Sequence, residues 1–379
     1  MPLHDVGYRP WQGQRRGTLA AILVIATTGI RLAWTSRWLR RAVFFAWSPA
    51  LVFAGSFFAF EQAVDEGRLA TLRETARHGE TLDGVGILGS VIAQTLGEQP
   101  AGMSAAAERH GGPQAEADRT RRAVWSRLLL AFMRSPQAIL LAVVVGLVAP
   151  ALVSRDLRAK AWLIYFTRPV GKLEYVFGKL LILALLVATI TMLPALSLWV
   201  MGVAVSPSIA VALTTWDLPL RIMLASAALA IPTILMALAY SSLTAESRIA
   251  SFAWFATWAA CWIAHTSLTT ADMLRDSDQT VATARDTGGS LTGMVATARN
   301  GRPPDLRQFR WLSKAAGLDR TIDRWAWLSP YHALGVIQAW IFGIETRWQA
   351  ILPPLLSLCV VSVVSAAVLW WRVDAPARV

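Results

Sequence analysis

Six long apolar stretches constrain this chain more than any other feature of its sequence. A transmembrane α-helix needs about 20 predominantly apolar residues to cross the roughly 30 Å hydrocarbon core of a bilayer. The stretches lie at residues 42–60, 135–154, 176–202, 222–245, 249–271 and 348–371. A short outer loop, 203–221, follows the third. The pattern predicts an all-α polytopic membrane protein with six transmembrane helices.

The composition agrees with this interpretation. Of the 379 residues, 55% are hydrophobic and only 16% are charged, whereas roughly a quarter of the residues are charged in a typical soluble domain. The two cysteines, Cys261 and Cys359, lie within apolar stretches, and the five histidines are scattered singly. This distribution excludes a disulfide framework and a Cys/His zinc motif.

The positions of the basic residues predict the orientation of the chain. If the amino terminus is inside, nearly all of the net charge of +12 falls on segments of the inner side. These segments are 1–41, 154–179, 245–248 and the tail 372–379. The positive-inside rule therefore places both termini in the cytoplasm.

Two long outer segments, 61–134 and 272–347, carry mixed charge. Their helical patterns and Gly-Pro turns predict partly helical outer loops. Within the first, residues 119–133 place apolar side chains opposite several arginines, which favours a helix lying along the outer membrane surface.

The amino-terminal region predicts an interfacial elbow helix from about residue 18 to residue 41. Tryptophan and arginine side chains suit the boundary between lipid and water, so we expect this helix to lie on the cytoplasmic leaflet. An additional span is the alternative. The residues that define the elbow are Arg31, Trp34, Arg37, Trp38, Arg40 and Arg41.

The chain contains no motif that would provide energy for transport. Its Gly-Lys pairs at 171–172 and 178–179 are followed by leucine and do not form a phosphate-binding loop, so we expect no cofactor in this chain. The six predicted spans contain no Asp, Glu or Arg, and their one lysine, Lys179, lies at the end of the third, which argues against ion-coupled transport. His265 is the titratable exception, and we interpret it as an interfacial hydrogen-bonding residue.

Nucleic-acid binding and catalysis are also disfavoured. The basic residues are divided among short juxtamembrane segments, so anionic lipid headgroups explain them better than a nucleic acid does. The acidic residues of the outer loops have the spacing of solvated helix faces. We therefore predict no catalytic residue and no metal site.

The cytoplasmic segment 154–179 is the most informative part of the sequence. Its first half is charged and helical in pattern, and Pro169 biases Arg168 away from the helical conformation. This predicts a short helix, a corner and a second helix that becomes the third span. Such an element can transmit movement from a soluble partner to two membrane helices. A charged turn that only anchors helix ends is the alternative.

This segment resembles the cytoplasmic loop of ABC-2 type transporter permeases, the membrane subunits of ABC exporters, in the run S-R-D-L-R-x-K-A-x-x-x-Y-F-T-R-P-x-x-x-x-E-Y-x-x-G-K. The elbow and the tight turn 241–248 agree with that family. The resemblance implies a permease of the bacterial inner membrane that pairs with a second copy or a homologue. A separate ATPase subunit would bind ATP and Mg.

The resemblance also implies roles for individual residues. The coupling helix would dock on the ATPase through Arg155, Asp156, Leu157, Arg158 and Lys160. The corner that relays movement into the third helix would consist of Tyr165, Arg168, Pro169, Glu174, Tyr175 and Lys179. The elbow would brace the same interface.

Trp254, Trp258 and Trp262 recur every fourth residue on the predicted fifth span. They can line a path for an amphipathic substrate, or they can pack against lipid or a second copy. The sequence leaves two other functions open. One is a membrane scaffold or mechanotransmission protein, driven by an ATPase, that acts on a periplasmic partner without transport; the other is a lipid-modifying enzyme.

Overall fold

The structure of this chain is a computed structural model that describes residues 17–68, 71, 89–97, 112–161, 171–286, 314, 316 and 322–374. Within these residues the chain is helical and forms no strand. The helices are α1 (Thr18–Trp34), α2 (Arg37–Asp65), α3 (Gly89–Gly97), α4 (Gly112–Phe132), α5 (Ala138–Arg158), α6 (Lys172–Ile190), α7 (Met192–Val205), α8 (Val211–Thr214), α9 (Asp217–Leu243), α10 (Ser247–Asp286), α11 (Pro330–Ile341) and α12 (Trp348–Asp374). A π-helical turn, Met133–Gln137, joins α4 to α5, and a 3-10 turn, Ala326–Leu328, precedes α11.

Five stretches of the described residues are long and apolar enough to cross a bilayer. They are Arg37–Asp65, Ala117–Arg158, Lys172–Val205, Asp217–Leu243 and Trp348–Val373. The prediction of an all-helical, multi-pass membrane protein is confirmed at this level. The predicted fifth span, 249–271, lies within α10 and is not among the five. Its three tryptophans, its histidine and several Thr and Ser residues lower its mean hydropathy below that of the other stretches.

The helices enclose two hydrophobic cores that meet along α9. One core joins the first turns of α2 to α5, α6, α10, α11 and α12. The other joins the second half of α2 to α3, α4 and α7. α9 contributes to both and packs against α5, α6, α7, α10, α11 and α12, so it is the central helix of the described fold.

Residues 119–133, which were expected to form a helix with one exposed face, pack inside the protein along much of their length. This segment belongs to α4, which continues through the π-helical turn into α5, and Trp125, Leu128 and Phe132 are fully buried. Phe132 packs edge-on against Phe53 of α2, with ring centroids 5.3 Å apart. The pattern misled because one of the arginines that seemed to mark an exposed face, Arg121, is itself buried in an ion pair.

The predicted elbow consists of two helices instead of one. α1 ends at Trp34, and α2 begins after Ser36, whose hydroxyl accepts a hydrogen bond from the Leu39 N–H. α1 packs against α6 at two glycines. The Ile25 side chain fills the space beside Gly178, and the Ile182 side chain fills the space beside Gly29.

Candidate functional site

The corner between α5 and α6 is held by one carboxylate. Asp156 accepts a hydrogen bond of 2.7 Å from the Tyr175 hydroxyl and pairs with the Lys179 ammonium at 2.8 Å. The ammonium also lies 5.3 Å from the centroid of the Tyr175 ring. These three side chains are largely buried and therefore tie the end of α5 to the start of α6.

The other described residues of the predicted coupling helix lie on the outside of this corner. Arg155, Arg158 and Lys160 are exposed, and Leu157 is half-buried. Lys160 follows the end of α5 with a φ of 49°, in the left-handed region. The end of α5 thus presents a basic surface on one side, and on the other side it is bound to α6 through Asp156.

Glu174 and the remaining corner residues have different positions. The Glu174 carboxylate accepts a hydrogen bond of 2.9 Å from the Gly171 N–H, so it caps α6. Tyr165, Arg168 and Pro169 lie outside the described residues.

Four further hydrogen bonds join other helices to this corner, and the sequence did not predict them. The Ser241 hydroxyl of α9 donates to the Pro150 carbonyl of α5 at 2.7 Å, and the Ser154 hydroxyl donates to the Ser241 carbonyl at 2.8 Å. Arg372 of α12 donates to the carbonyls of Ser242 and Leu243. α5, α6, α9 and α12 are therefore connected at one end of the bundle.

The six elbow residues are all exposed. The Arg41 guanidinium lies 5.8 Å from the Trp38 ring centroid. A cavity of about 480 Å³ between α1, α2, α5 and α6 has Trp38, Arg155, Asp156 and Lys179 among its lining residues. The structure thus places the predicted elbow residues beside the corner between α5 and α6.

A larger cavity, of about 1040 Å³, lies between α2, the π-helical turn, α5, α10 and the start of α11. Two of the three tryptophans of the predicted substrate path, Trp258 and Trp262, line this cavity. Trp254 does not line it. Its ring packs beside Gly146, and its indole N–H donates to the Ala142 carbonyl at 2.9 Å, so Trp254 joins α10 to α5.

A polar cluster lies next to this cavity. His265 Nε2 lies 2.8 and 3.0 Å from the two carboxylate oxygens of Asp323, and the Lys314 ammonium lies 2.9 Å from one of them. Burial alone would raise the pKa of Asp323, but hydrogen bonds from His265 and Lys314, together with the Lys314 charge, hold that pKa below its usual range. Asp323 is therefore an anion that His265 and Lys314 share. Because Asp323 follows His265 by 58 residues in the chain, the sequence pattern gave no sign of the cluster.

His332 stacks on the ring of His265, with centroids 3.4 Å apart. Burial, reinforced by the nearby His265, Lys314 and Arg134, lowers the pKa of His332 to about 2 despite the opposing charge of Asp323. Among the described residues, Nδ1 of each histidine has no hydrogen-bond partner. The imidazole of His332 is thus neutral at physiological pH. The expectation that His265 forms a hydrogen bond is confirmed.

Arg134 closes the same end of the cavity. One guanidinium nitrogen donates to the Lys314 carbonyl at 2.5 Å. A Cβ atom at Gly335 would lie 2.3 Å from Arg134 Nε, so the guanidinium can occupy this position only because residue 335 of α11 is glycine.

A second buried charge pair joins the end of α2 to the middle of α4. Arg121 Nε lies 2.9 Å from a Glu61 carboxylate oxygen, the Trp125 indole N–H donates to Glu61 at 3.0 Å, and Arg121 also pairs with Asp118 at 2.9 Å. The side chains of Glu61 and Arg121 are 0% and 4% exposed. The hydrogen bonds satisfy both charges, so this pair fixes α4 against α2.

The described residues contain no group of three or more His, Cys, Asp or Glu side chains that could hold a metal ion. These residues form a bundle of apolar helices. One end of the bundle has the corner held by Asp156, and the cavity lined in part by charged side chains lies toward the other end. Comparisons with protein-family models, with curated proteins and with solved structures find no match for this chain.

Proposed function

We propose that this chain is the membrane permease subunit of an ATP-driven ABC-2 type exporter of the bacterial inner membrane, with ATP and Mg bound by a separate ATPase chain. The observation that carries the proposal is the corner formed by Asp156, Tyr175 and Lys179, which holds exposed Arg155 and Arg158 in front of it. A surface that receives a partner's movement needs both accessible side chains and a stiff connection to the membrane helices. The corner provides both.

The proposal includes α10 as a sixth span. Only three residues separate α9 from α10, and α10 packs against both α5 and α9. Its 40 residues extend about 60 Å, enough to cross a bilayer and project beyond it. With six spans, both termini lie in the cytoplasm, and the exposed arginines and tryptophans around Ser36 form an elbow at the cytoplasmic leaflet.

The contacts suggest how movement would pass through the bundle. A partner that shifts the end of α5 also shifts α6 through Asp156, because Tyr175 and Lys179 hold its carboxylate. It shifts α9 through the Ser154–Ser241 hydrogen bonds. Since α5 and α10 line the 1040 Å³ cavity, rigid-body motion of α5 changes the shape of that cavity.

The test is co-purification, in mild detergent, with an ATPase encoded by a neighbouring gene. It compares the wild type with an Arg155→Glu, Arg158→Glu variant. We expect the variant to lose ATPase binding or to stop stimulating ATP hydrolysis. Arg248→Glu is the matched control, because Arg248 is exposed at the first turn of α10 and lies outside the corner. A wild-type chain that binds no ATPase under any condition would exclude the proposal.

The alternative is a mechanotransmission protein that acts on a periplasmic partner and transports nothing. The packed unit formed by α3, α4 and the second half of α2 around the Glu61–Arg121 pair favours it, because this unit offers a rigid surface away from the corner. A stable complex with a periplasmic protein, together with ATP-dependent activity but no transport in vesicles, would support this alternative.

A further inference from the structure

The cavity of about 480 Å³ between α1, α2, α5 and α6 is apolar over most of its lining. Leu32 of α1, Leu39 of α2 and Leu147 of α5 line it, together with smaller aliphatic side chains. Its volume lies within the roughly 300–1,000 Å³ typical of small-molecule sites. An apolar chain would therefore find both space and a contact surface there.

The cavity opens at the surface of the bundle. Leu32 and Leu147, which line it, are 66% and 58% exposed, and Trp38 at the start of α2 is an exposed lining residue as well. Because α5 belongs to a candidate membrane span, its exposed apolar side chains face lipid. A molecule dissolved in the bilayer can therefore reach the apolar part of the cavity between α1 and α5.

One end of the cavity carries a positive charge that no described carboxylate compensates. The charged residues of the lining are Arg155, Asp156 and Lys179. Asp156 and Lys179 pair with each other at 2.8 Å, so their charges cancel. Arg155 is exposed, and among the described residues its guanidinium has no carboxylate partner. The lining therefore has one net positive charge, that of Arg155.

Further arginines lie on the helices that form the opening of the cavity. They are all exposed, on the last turn of α1 and the first residues of α2, and they are Arg31, Arg37, Arg40 and Arg41. The sequence contains no Asp or Glu between residues 17 and 60 to compensate them. The Arg41 guanidinium lies 5.8 Å from the ring centroid of Trp38, a lining residue. This charge distribution favours an anionic headgroup over a neutral one.

From these observations we propose that the cavity binds an anionic phospholipid, with one acyl chain between α1, α2 and α5 and the phosphate at Arg155. The occupant is a lipid because Leu32 and Leu147 bring the apolar lining to the surface that faces the bilayer. The inference goes beyond the proposed function and does not depend on it, because binding is a property of this chain without an ATPase. Arg158, the other exposed arginine at the end of α5, does not line the cavity.

The test is titration of the delipidated chain in detergent with single lipids, followed by native mass spectrometry. Phosphatidylglycerol is compared with diacylglycerol and phosphatidylcholine of the same acyl chains. Phosphatidylglycerol should bind about tenfold more tightly than diacylglycerol, because its phosphate accepts a hydrogen bond from a charged group. It should also bind more tightly than phosphatidylcholine, whose ammonium group the arginines repel. Equal affinity for phosphatidylglycerol and either of the other two lipids would overturn the proposal.

The two exposed arginines at the end of α5 separate this site from a general attraction to basic surfaces. Arg155→Gln should weaken the binding of phosphatidylglycerol about tenfold and leave that of diacylglycerol unchanged. Arg158→Gln removes the same charge three residues later, outside the cavity, and should bind both lipids as the wild type does. Equal losses in the two variants would show that surface charge alone attracts the lipid, and would contradict the site.

Ala151→Phe tests the apolar part. Ala151 lines the cavity, so a phenyl ring there occupies it and should abolish the binding of both phosphatidylglycerol and diacylglycerol. Ala367→Phe is the matched control, since Ala367 is exposed on α12 and lines neither cavity. Thermal unfolding shows whether each variant folds, and Leu147→Trp replaces Ala151→Phe if that chain does not. Wild-type binding by a folded variant of the lining would refute the proposal.

Competition distinguishes a lipid from a free anion. Glycerophosphoglycerol, which is the headgroup without acyl chains, and inorganic phosphate should not displace phosphatidylglycerol. Displacement by either of them at the concentration effective for phosphatidylglycerol would show that the apolar lining contributes nothing, and would overturn the assignment of a lipid.

Discussion

The imidazole rings of His265 and His332 lie face to face, with centroids 3.4 Å apart and planes inclined by 18°. Both side chains are almost fully buried, at 2% and 6% exposure. Two protonated rings at this distance would repel each other strongly. The stack therefore depends on His332 remaining neutral while His265 holds Asp323.

The first prediction concerns the pH dependence of stability. The pKa of His332 is about 2 in the folded chain and returns to about 6.5 on unfolding. Below pH 6.5 the unfolded chain therefore takes up a proton that the folded chain does not, so the stability is full above pH 6.5 and falls as the pH is lowered. At pH 5 the loss should be about 2 kcal/mol.

The measurement is the thermal unfolding midpoint of the detergent-purified chain between pH 7.5 and pH 5. His332→Phe keeps an aromatic ring in the stack but removes the titrating group, so its profile should be flatter than that of the wild type. Parallel profiles for the two proteins would show that His332 does not determine the acid sensitivity.

The second prediction concerns the buried pair of α2 and α4. Arg121→Ala leaves the Glu61 carboxylate buried without its main partner, and breaking such a pair costs about 3–5 kcal/mol. Replacing both charges, as in Glu61→Leu with Arg121→Met, should restore most of that stability, because no uncompensated charge remains.

The measurement is the free energy or the midpoint of unfolding of the purified variants. Arg119→Ala is the control, since Arg119 is exposed on the same helix and should change stability by less than about 0.5 kcal/mol. A double variant that is no more stable than Arg121→Ala would show that the pair is needed for something other than charge compensation.

These contacts show which parts of the structure could be predicted from the sequence. The length of an apolar stretch shows directly whether a helix can cross a bilayer. Five of the expected spans therefore coincide with candidate membrane helices. The position of Glu61 at the end of such a stretch gave no sign that Arg121, 60 residues later, pairs with it. A contact between two residues that are far apart in the chain produces no periodic pattern in the sequence around either of them.

The candidate site was likewise predictable only in part. The fourfold spacing of Trp254, Trp258 and Trp262 indicates a shared helix face, and two of the three line the cavity. Trp254 lies against α5 because Gly146 leaves room for its indole ring, where a Cβ atom would approach to 2.5 Å. Whether a tryptophan of this helix face packs against α5 or lines the cavity is therefore decided by a glycine on α5, and not by the spacing of the tryptophans.

The third prediction concerns the packing of α1 on α6. A Cβ atom at Gly178 would lie 2.6 Å from Ile25 Cγ2, so Gly178→Ala should force the two helices apart and cost about 1–3 kcal/mol. Gly55→Ala is the matched control in α2, because a Cβ atom there meets nothing within 4 Å and alanine favours the helix. Thermal stability should fall for the first variant and stay level or rise for the second. Adding Ile25→Ala to Gly178→Ala should recover part of the loss; no recovery would mean that Ile25 is not the obstacle.

The fourth prediction separates the connection within the corner from the surface in front of it. Tyr175→Phe removes only the hydroxyl that donates to Asp156, a hydrogen bond to a charged group that contributes about 1.5–3 kcal/mol. Because Arg155 and Arg158 remain in place, this variant should still bind the ATPase of the proposed function. Its α6 would follow the end of α5 less closely, so the amount transported per ATP hydrolysed should fall.

Tyr240→Phe provides the control for this experiment. Its hydroxyl also bonds between two helices, to Thr257 at 2.7 Å, but it joins α9 to α10 instead of α5 to α6. Transport and ATP hydrolysis measured in the same vesicles distinguish the two roles. If Tyr175→Phe and Tyr240→Phe lower both rates equally, the corner acts only through general stability. If Tyr175→Phe alone uncouples transport from hydrolysis, movement passes from α5 to α6 through the Asp156 carboxylate.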